Sequence, residues 1–105
     1  MGSEYIWQAF GLPKPEIEFR ISKERRYKWD YAWPQFKIAL EQNGGIWMRG
    51  ITGRGGAHSL PSNIIRDMEK MNFAQKLGWR VFQFQPKDIR NGTAANFLRS
   101  VMEAK

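Results

Sequence analysis

The chain has 105 residues, a net charge of +7 and a pI near 10.1, which predicts one modest domain over residues 1–105 and a bias toward polyanionic partners, nucleic acid being the commonest. Cysteine is absent and histidine occurs once, which excludes disulfides, thiolate metal centres and a zinc site built on several histidines. No apolar run approaches the ~18 residues of a membrane helix and no signal peptide is visible, so an intracellular location is expected; the scatter of the basic residues disfavours a membrane surface.

Ser3 to Phe10 reads as a short helix, capped by Ser3 and stopped by Gly11. Pro13 and Pro15 then impose extended backbone. "EIEFRIS" alternates, with Ile17, Phe19 and Ile21 on one face and Glu16, Glu18 and Arg20 on the other, as in a half-buried strand. "KERR" is a charged turn. "YKWDYAW" alternates again: Tyr27, Trp29, Tyr31 and Trp33 share one face, Lys28, Asp30 and Ala32 the other, and Pro34 ends the run. "FKIALEQN" is the third strand, with Phe36, Ile38 and Leu40 opposed to Lys37, Ala39, Glu41 and Asn43. Short links between the three predict an antiparallel meander.

Residues 48–60, "MRGITGRGGAHSL", hold four Gly and two Arg without periodicity and read as a long loop. Pro61 and Ser62 open a helix that runs to about Leu77 and stops at Gly78. Its apolar stripe is Ile64, Ile65, Met68 and Met71, with Gln75 near the middle, Asn72 at the edge, and Glu69 and Lys70 off it. "WRVFQFQ" is a fourth strand, Pro86 to Gly92 a turn region, and Thr93 caps a last helix. A helix between the third and fourth strands predicts a right-handed crossover and a parallel pair. The expected class is α/β: a mixed four-stranded sheet flanked by helices, in the order αβββαβα.

Each of the first three strands carries an acid on its polar face: Glu18, Asp30 and Glu41. If the register aligns them, three carboxylates converge, with Asn43 facing the same way. Clustered carboxylates repel one another and raise each other's pKa, a cost that a divalent cation relieves. An all-oxygen donor set of this size suits Mg²⁺ or Mn²⁺. Such an ion polarises a phosphodiester and lowers the pKa of an attacking water. The competing reading is solvated surface. Gln75 on an apolar stripe needs a partner, either the carboxylate site or the helix end. His58, with Arg49 and Arg54, would form a basic flap over a phosphate backbone. The glycines match no phosphate-binding loop, so nucleotide hydrolysis is unsupported.

"GLPKPEIEFRISKERRYKWDYAWPQFKIALEQNGGIW", "GGAHS", "RDMEKMNFAQKLGWRVFQF" and "PKDIRNG" together resemble a small phage and prophage nuclease family of the PD-(D/E)xK, or restriction-endonuclease-like, superfamily. The resemblance covers roughly residues 11–92. It implies a Mg²⁺- (or Mn²⁺-) dependent DNA endonuclease in which Asp30 is the metal-binding Asp, Glu41 opens the (D/E)xK element and Glu18 is a further ligand. Lys70 and Asn72 match the helix block, and Asn72 and Gln75 would support the site. The family pattern expects Lys two residues after Glu41, where this chain has Asn43; Lys70 is the candidate substitute. Arg49, Arg54, His58 and Arg66 would hold phosphates. The resemblance also implies a homodimer, with branched or junction DNA as one version of the substrate, and host cytoplasm as the location of a phage-encoded chain. Two rivals stand beside it: a catalytically weakened DNA-binding module that retains the nuclease fold, and a partner-binding phage protein.

Overall fold

Prolines, glycines and apolar alternation set most element boundaries in the computed structural model, which describes residues 5–42 and 62–104. The helix α1 (Ile6–Ala9) is one turn long and ends just before Gly11. Three strands follow, β1 (Glu16–Phe19), β2 (Trp29–Trp33) and β3 (Ile38–Gln42), paired antiparallel in sequence order. Pro34–Phe36 forms a short 3₁₀ turn between β2 and β3. The helix α2 (Ser62–Lys76) precedes β4 (Arg80–Phe84), which pairs parallel to β3. Among the described residues the sheet order is therefore β1-β2-β3-β4, a mixed four-stranded sheet in which only β2 and β3 have neighbours on both sides. The meander and the parallel crossover pair are the ones the sequence predicts.

Two differences lie after β4. Residues 86–92 are not merely a turn, because Pro86–Arg90 forms a short helix, α3. Proline at the first helical position has its φ preset and lacks only an N–H that would go unused, and Asp88 stands in the positively polarised first turn. The last helix, α4 (Thr93–Glu103), is capped by Gly92 rather than Thr93. The Thr93 N–H donates to Asn91 Oδ1 at 2.9 Å.

The sheet separates two apolar clusters. On one face Trp7, Leu12, Tyr31, Trp33, Ile38, Leu40, Ile89 and Leu98 pack between the sheet and α1, α3 and α4. On the other, Ala32, Ala39 and Val81 meet Ala74 of α2, joined by Trp29 and Trp79. The third strand alternates as read: Ile38 and Leu40 enter the first cluster, Ala39 the second. The second strand does not. Trp29 joins the second cluster although Tyr31 and Trp33 are in the first, and Tyr27 packs with Trp29. The change of face coincides with Glu18, which lies opposite Asp30 between the pairs Ile17↔Tyr31 and Phe19↔Trp29 and has a φ of +51°. A positive φ at a residue with a Cβ breaks the regular pleat, so side chains before and after it no longer share a face. Phe19 accordingly packs on the second cluster, while Ile17 is 44% exposed.

Gly92 combines a φ of +89° with a buried position against Phe10. A Cβ there would collide with the Phe10 ring. Gly92→Ala is expected to cost about 1–2 kcal/mol in left-handed backbone strain plus about 1–3 kcal/mol in overpacking. The check is a lowered urea midpoint at unchanged slope; a loss of only about 1–2 kcal/mol would mean that the ring moves aside and the backbone strain alone remains, and an unaltered midpoint would refute both costs.

Candidate functional site

A row of polar side chains crosses the α2 side of the sheet beyond the alanines. The pairs Tyr31↔Leu40 and Ala32↔Ala39 extend to set Asp30 opposite Glu41, and the parallel register sets Glu41 beside Gln83. Neighbours in a register share a face, so Glu41 and Gln83 both face α2 near the carboxyl ends of β3 and β4, and the Asp30 charge acts on Glu41 from the adjoining end of β2. Asp30 Oδ2 accepts a hydrogen bond from the Gln42 N–H at 2.7 Å, which fixes its carboxylate at the end of β3. Gln83 Nε2 lies 2.7 Å from Met71 Sδ of α2.

Lys70 reaches into this row from α2. Its Nζ donates to Glu41 Oε2 at 3.0 Å, and the two side chains are 12% and 22% exposed. The same ammonium stands 4.9 Å from the centre of the Trp29 ring, a cation–π distance. The indole therefore forms an apolar wall beside the ion pair. Burial pushes the Glu41 carboxyl above its ordinary range; the Lys70 hydrogen bond and charge pull it back, and the Asp30 charge pushes it up again. Among the described residues Glu41 Oε1 is buried without a hydrogen-bond partner. The result is a half-buried acid with one oxygen satisfied by Lys70 and one bare acceptor, facing a second carboxylate.

The other expected site residues fall apart into groups. Glu18 is exposed, and among the described residues no group of three or more Asp, Glu or His side chains is placed to hold a metal, so the convergence of three carboxylates is not what forms. The positive φ at Glu18 is the physical reason, since it takes the residue out of the pleat that would align it. Asn72 and Gln75 are exposed on α2 and, among the described residues, meet neither Asp30 nor Glu41. The helix is rotated relative to the expected stripe: Ile64 and Ala74 are buried with Met71 and Lys70 partly so, whereas Ile65 and Met68 are 45% and 52% exposed. Lys70 thus lies on the inner face, not off it. Asn43, Arg49, Arg54 and His58 lie outside the described residues.

Arg66 lines an open cleft of roughly 300 Å³ together with Arg26, Tyr27, Lys28, Asp67 and Lys70. Arg26, Lys28, Trp29 and Gln83 are the residues near the site that sequence reasoning passed over. Gln83 carries a readable signal, a polar residue between two phenylalanines on a strand; Arg26 and Lys28 read only as parts of a charged turn and a polar strand face.

No family model matches the chain, and no solved structure matches it significantly. Two uncharacterised proteins of Mycobacterium tuberculosis, one from each of two strains, are 29% identical to it over 82 residues, which is 76% of this chain and 27% of each relative. The chain spans about a quarter of the length of the curated relatives it matches. Among the described residues no helix is long and apolar enough to cross a membrane.

Proposed function

We propose that this chain is a Mg²⁺- or Mn²⁺-dependent DNA endonuclease with a restriction-endonuclease-like fold. The observation that carries the reading is the juxtaposition of Asp30 and Glu41 on adjacent strands with the Lys70 ammonium on Glu41. An acid on the second strand, an acid on the third and a cation beside it are the parts of a PD-(D/E)xK site. Here the helix supplies the lysine that position 43 lacks.

A divalent cation fits the residues present. Glu41 Oε1, unpartnered among the described residues, is an acceptor for a positive partner, and the Asp30 charge beside it is relieved by the same ion. Two carboxylates are a sufficient protein share for Mg²⁺, which keeps waters and substrate phosphate in its remaining positions. Asp30 and Glu41 would hold it. When bound it supplies Lewis acidity toward a phosphodiester and a lowered pKa for an attacking water. Glu41 contributes its second oxygen to Lys70 and so anchors that ammonium at the site. Lys70 then presents a fixed positive charge to the pentavalent phosphorane-like transition state, where negative charge grows. Trp29 walls the pair from solvent and strengthens the electrostatics.

One observation favours the alternative of a DNA-binding module that keeps the fold with weakened cleavage: among the described residues only two acids meet at the site, not three. Cleavage of linear, nicked, single-stranded and four-way-junction DNA, with Mg²⁺, Mn²⁺ or EDTA, decides between them. Metal-dependent scission is expected, and its absence on every substrate would remove the nuclease reading. In the same assay Lys70→Ala is expected to slow cleavage by about ten- to a thousand-fold, roughly 1.4–4 kcal/mol of barrier. Wild-type rates in Lys70→Ala would assign the lysine to structure alone.

A further inference from the structure

The cleft beside the carboxylate row has walls from two distant segments. The chain leading into β2 supplies Arg26, Tyr27 and Lys28, and α2 supplies Arg66, Asp67 and Lys70. Four of these six side chains are cations and one is an acid. Lys70 is spoken for by Glu41. Arg26, Lys28 and Arg66 are exposed, and among the described residues none of them has an ion-pair partner. Like charges gathered around a concave surface repel one another and focus a positive potential into it. Tyr27 lines the same space with a ring braced edge-on by Trp29 and Phe73, at centroid distances of 6.2 and 5.7 Å.

We propose that this cleft binds the sugar-phosphate backbone of a nucleic-acid strand and holds it beside Glu41. Three points favour an extended polyanion over a small anion. The cations come from two separate elements rather than one enclosing loop. Arg26, Lys28 and Arg66 are solvent-accessible, as contacts to a backbone running over a surface require. The cleft is open and shares Lys70 with the carboxylate site, so a strand lying in it continues past Asp30 and Glu41. What lies next door, a cleavage centre, rests on the nuclease reading; the binding itself needs neither metal nor turnover.

The test is binding of fluorescent duplex and single-stranded DNA in EDTA over a salt series. Two charge-matched variants of the full chain are compared. Lys28→Ala with Arg66→Ala removes one cation from each wall. Lys87→Ala with Arg90→Ala removes two exposed cations from α3, on the opposite side of the sheet. The cleft variant is expected to bind at least about ten-fold more weakly and to lose roughly two from the steepness of the salt dependence. The α3 variant is expected to stay within about two-fold of wild type on the same reasoning. Equal losses in both variants would overturn the proposal, since net charge and not the cleft would then govern binding. Saturable binding of inorganic phosphate without DNA binding would overturn it too. A wild type that binds through the cleft but never cleaves would remove the nuclease reading and leave the cleft. A wild type that cleaves, with a cleft variant that binds and cleaves equally well, would do the reverse.

Discussion

Replacing Glu41 by alanine is expected to reduce cleavage by at least about a thousand-fold, roughly 4 kcal/mol of barrier, while DNA affinity in EDTA stays near that of wild type. The substitution removes the bare oxygen that would take the cation and the anchor that holds Lys70 at 3.0 Å. Binding should survive because phosphate contacts from Lys and Arg supply most of the affinity. Asp30 needs a subtler change. Its Oδ2 accepts the Gln42 N–H at 2.7 Å, so alanine would free a backbone donor at the end of β3. Asp30→Asn retains an acceptor oxygen and discards the charge, and should lose cleavage with the fold intact. Single-turnover rates with circular dichroism on the same samples check both. Full cleavage by Asp30→Asn or Glu41→Ala would refute the assignment.

Trp33→Ala carries the largest expected effect on stability. Trp33 is fully buried, its ring lies 5.2 Å from that of Trp7 at 82°, and its Nε1 donates to the Pro13 carbonyl at 2.8 Å. Deleting a buried Trp side chain costs about 3–5 kcal/mol, and the orphaned carbonyl adds about 1 kcal/mol or more where it stays buried. Against a total of about 5–15 kcal/mol for a domain, that leaves little margin. Urea denaturation followed by near-ultraviolet circular dichroism should show a much lower midpoint or no cooperative transition. Trp33→Phe should recover part of the loss, because it restores ring volume but not the hydrogen bond.

The third strand was the most readable part of the chain. Its alternation of Ile38 and Leu40 against Ala39 and Glu41 is a local property, and a central strand with both faces covered obeys it. The crossover was readable because a helix between two strands leaves few topologies. The turn of α2 was not. Apolarity pointed to Ile65 and Met68, yet the helix buries Ala74 and the aliphatic stem of Lys70. An alanine and a lysine carry little weight in a hydrophobic pattern, so the stripe came out rotated. It was the resemblance, not periodicity, that singled out Lys70. Nothing in "IEF" announces a positive φ at Glu18, which is a property of the folded sheet. The cleft was invisible for a related reason: Arg26 and Arg66 become neighbours only through tertiary structure. The one-turn α3 is too short to leave a helical period.

Three alanines, Ala32, Ala39 and Ala74, are wholly buried where α2 crosses the sheet. Ala32 stands two residues after Asp30, Ala39 two before Glu41, and Ala74 one helical turn after Lys70. Together they work as a thin shim between two rigid parts. A lysine stem has a fixed reach, and methyl-sized spacers let the helix lie close enough for that reach to end on Glu41. Thickening the shim at any one of the three would lift the ammonium off its carboxylate without touching a charged residue. The alignment of the charged centre is thereby gauged by the least reactive side chains in the chain.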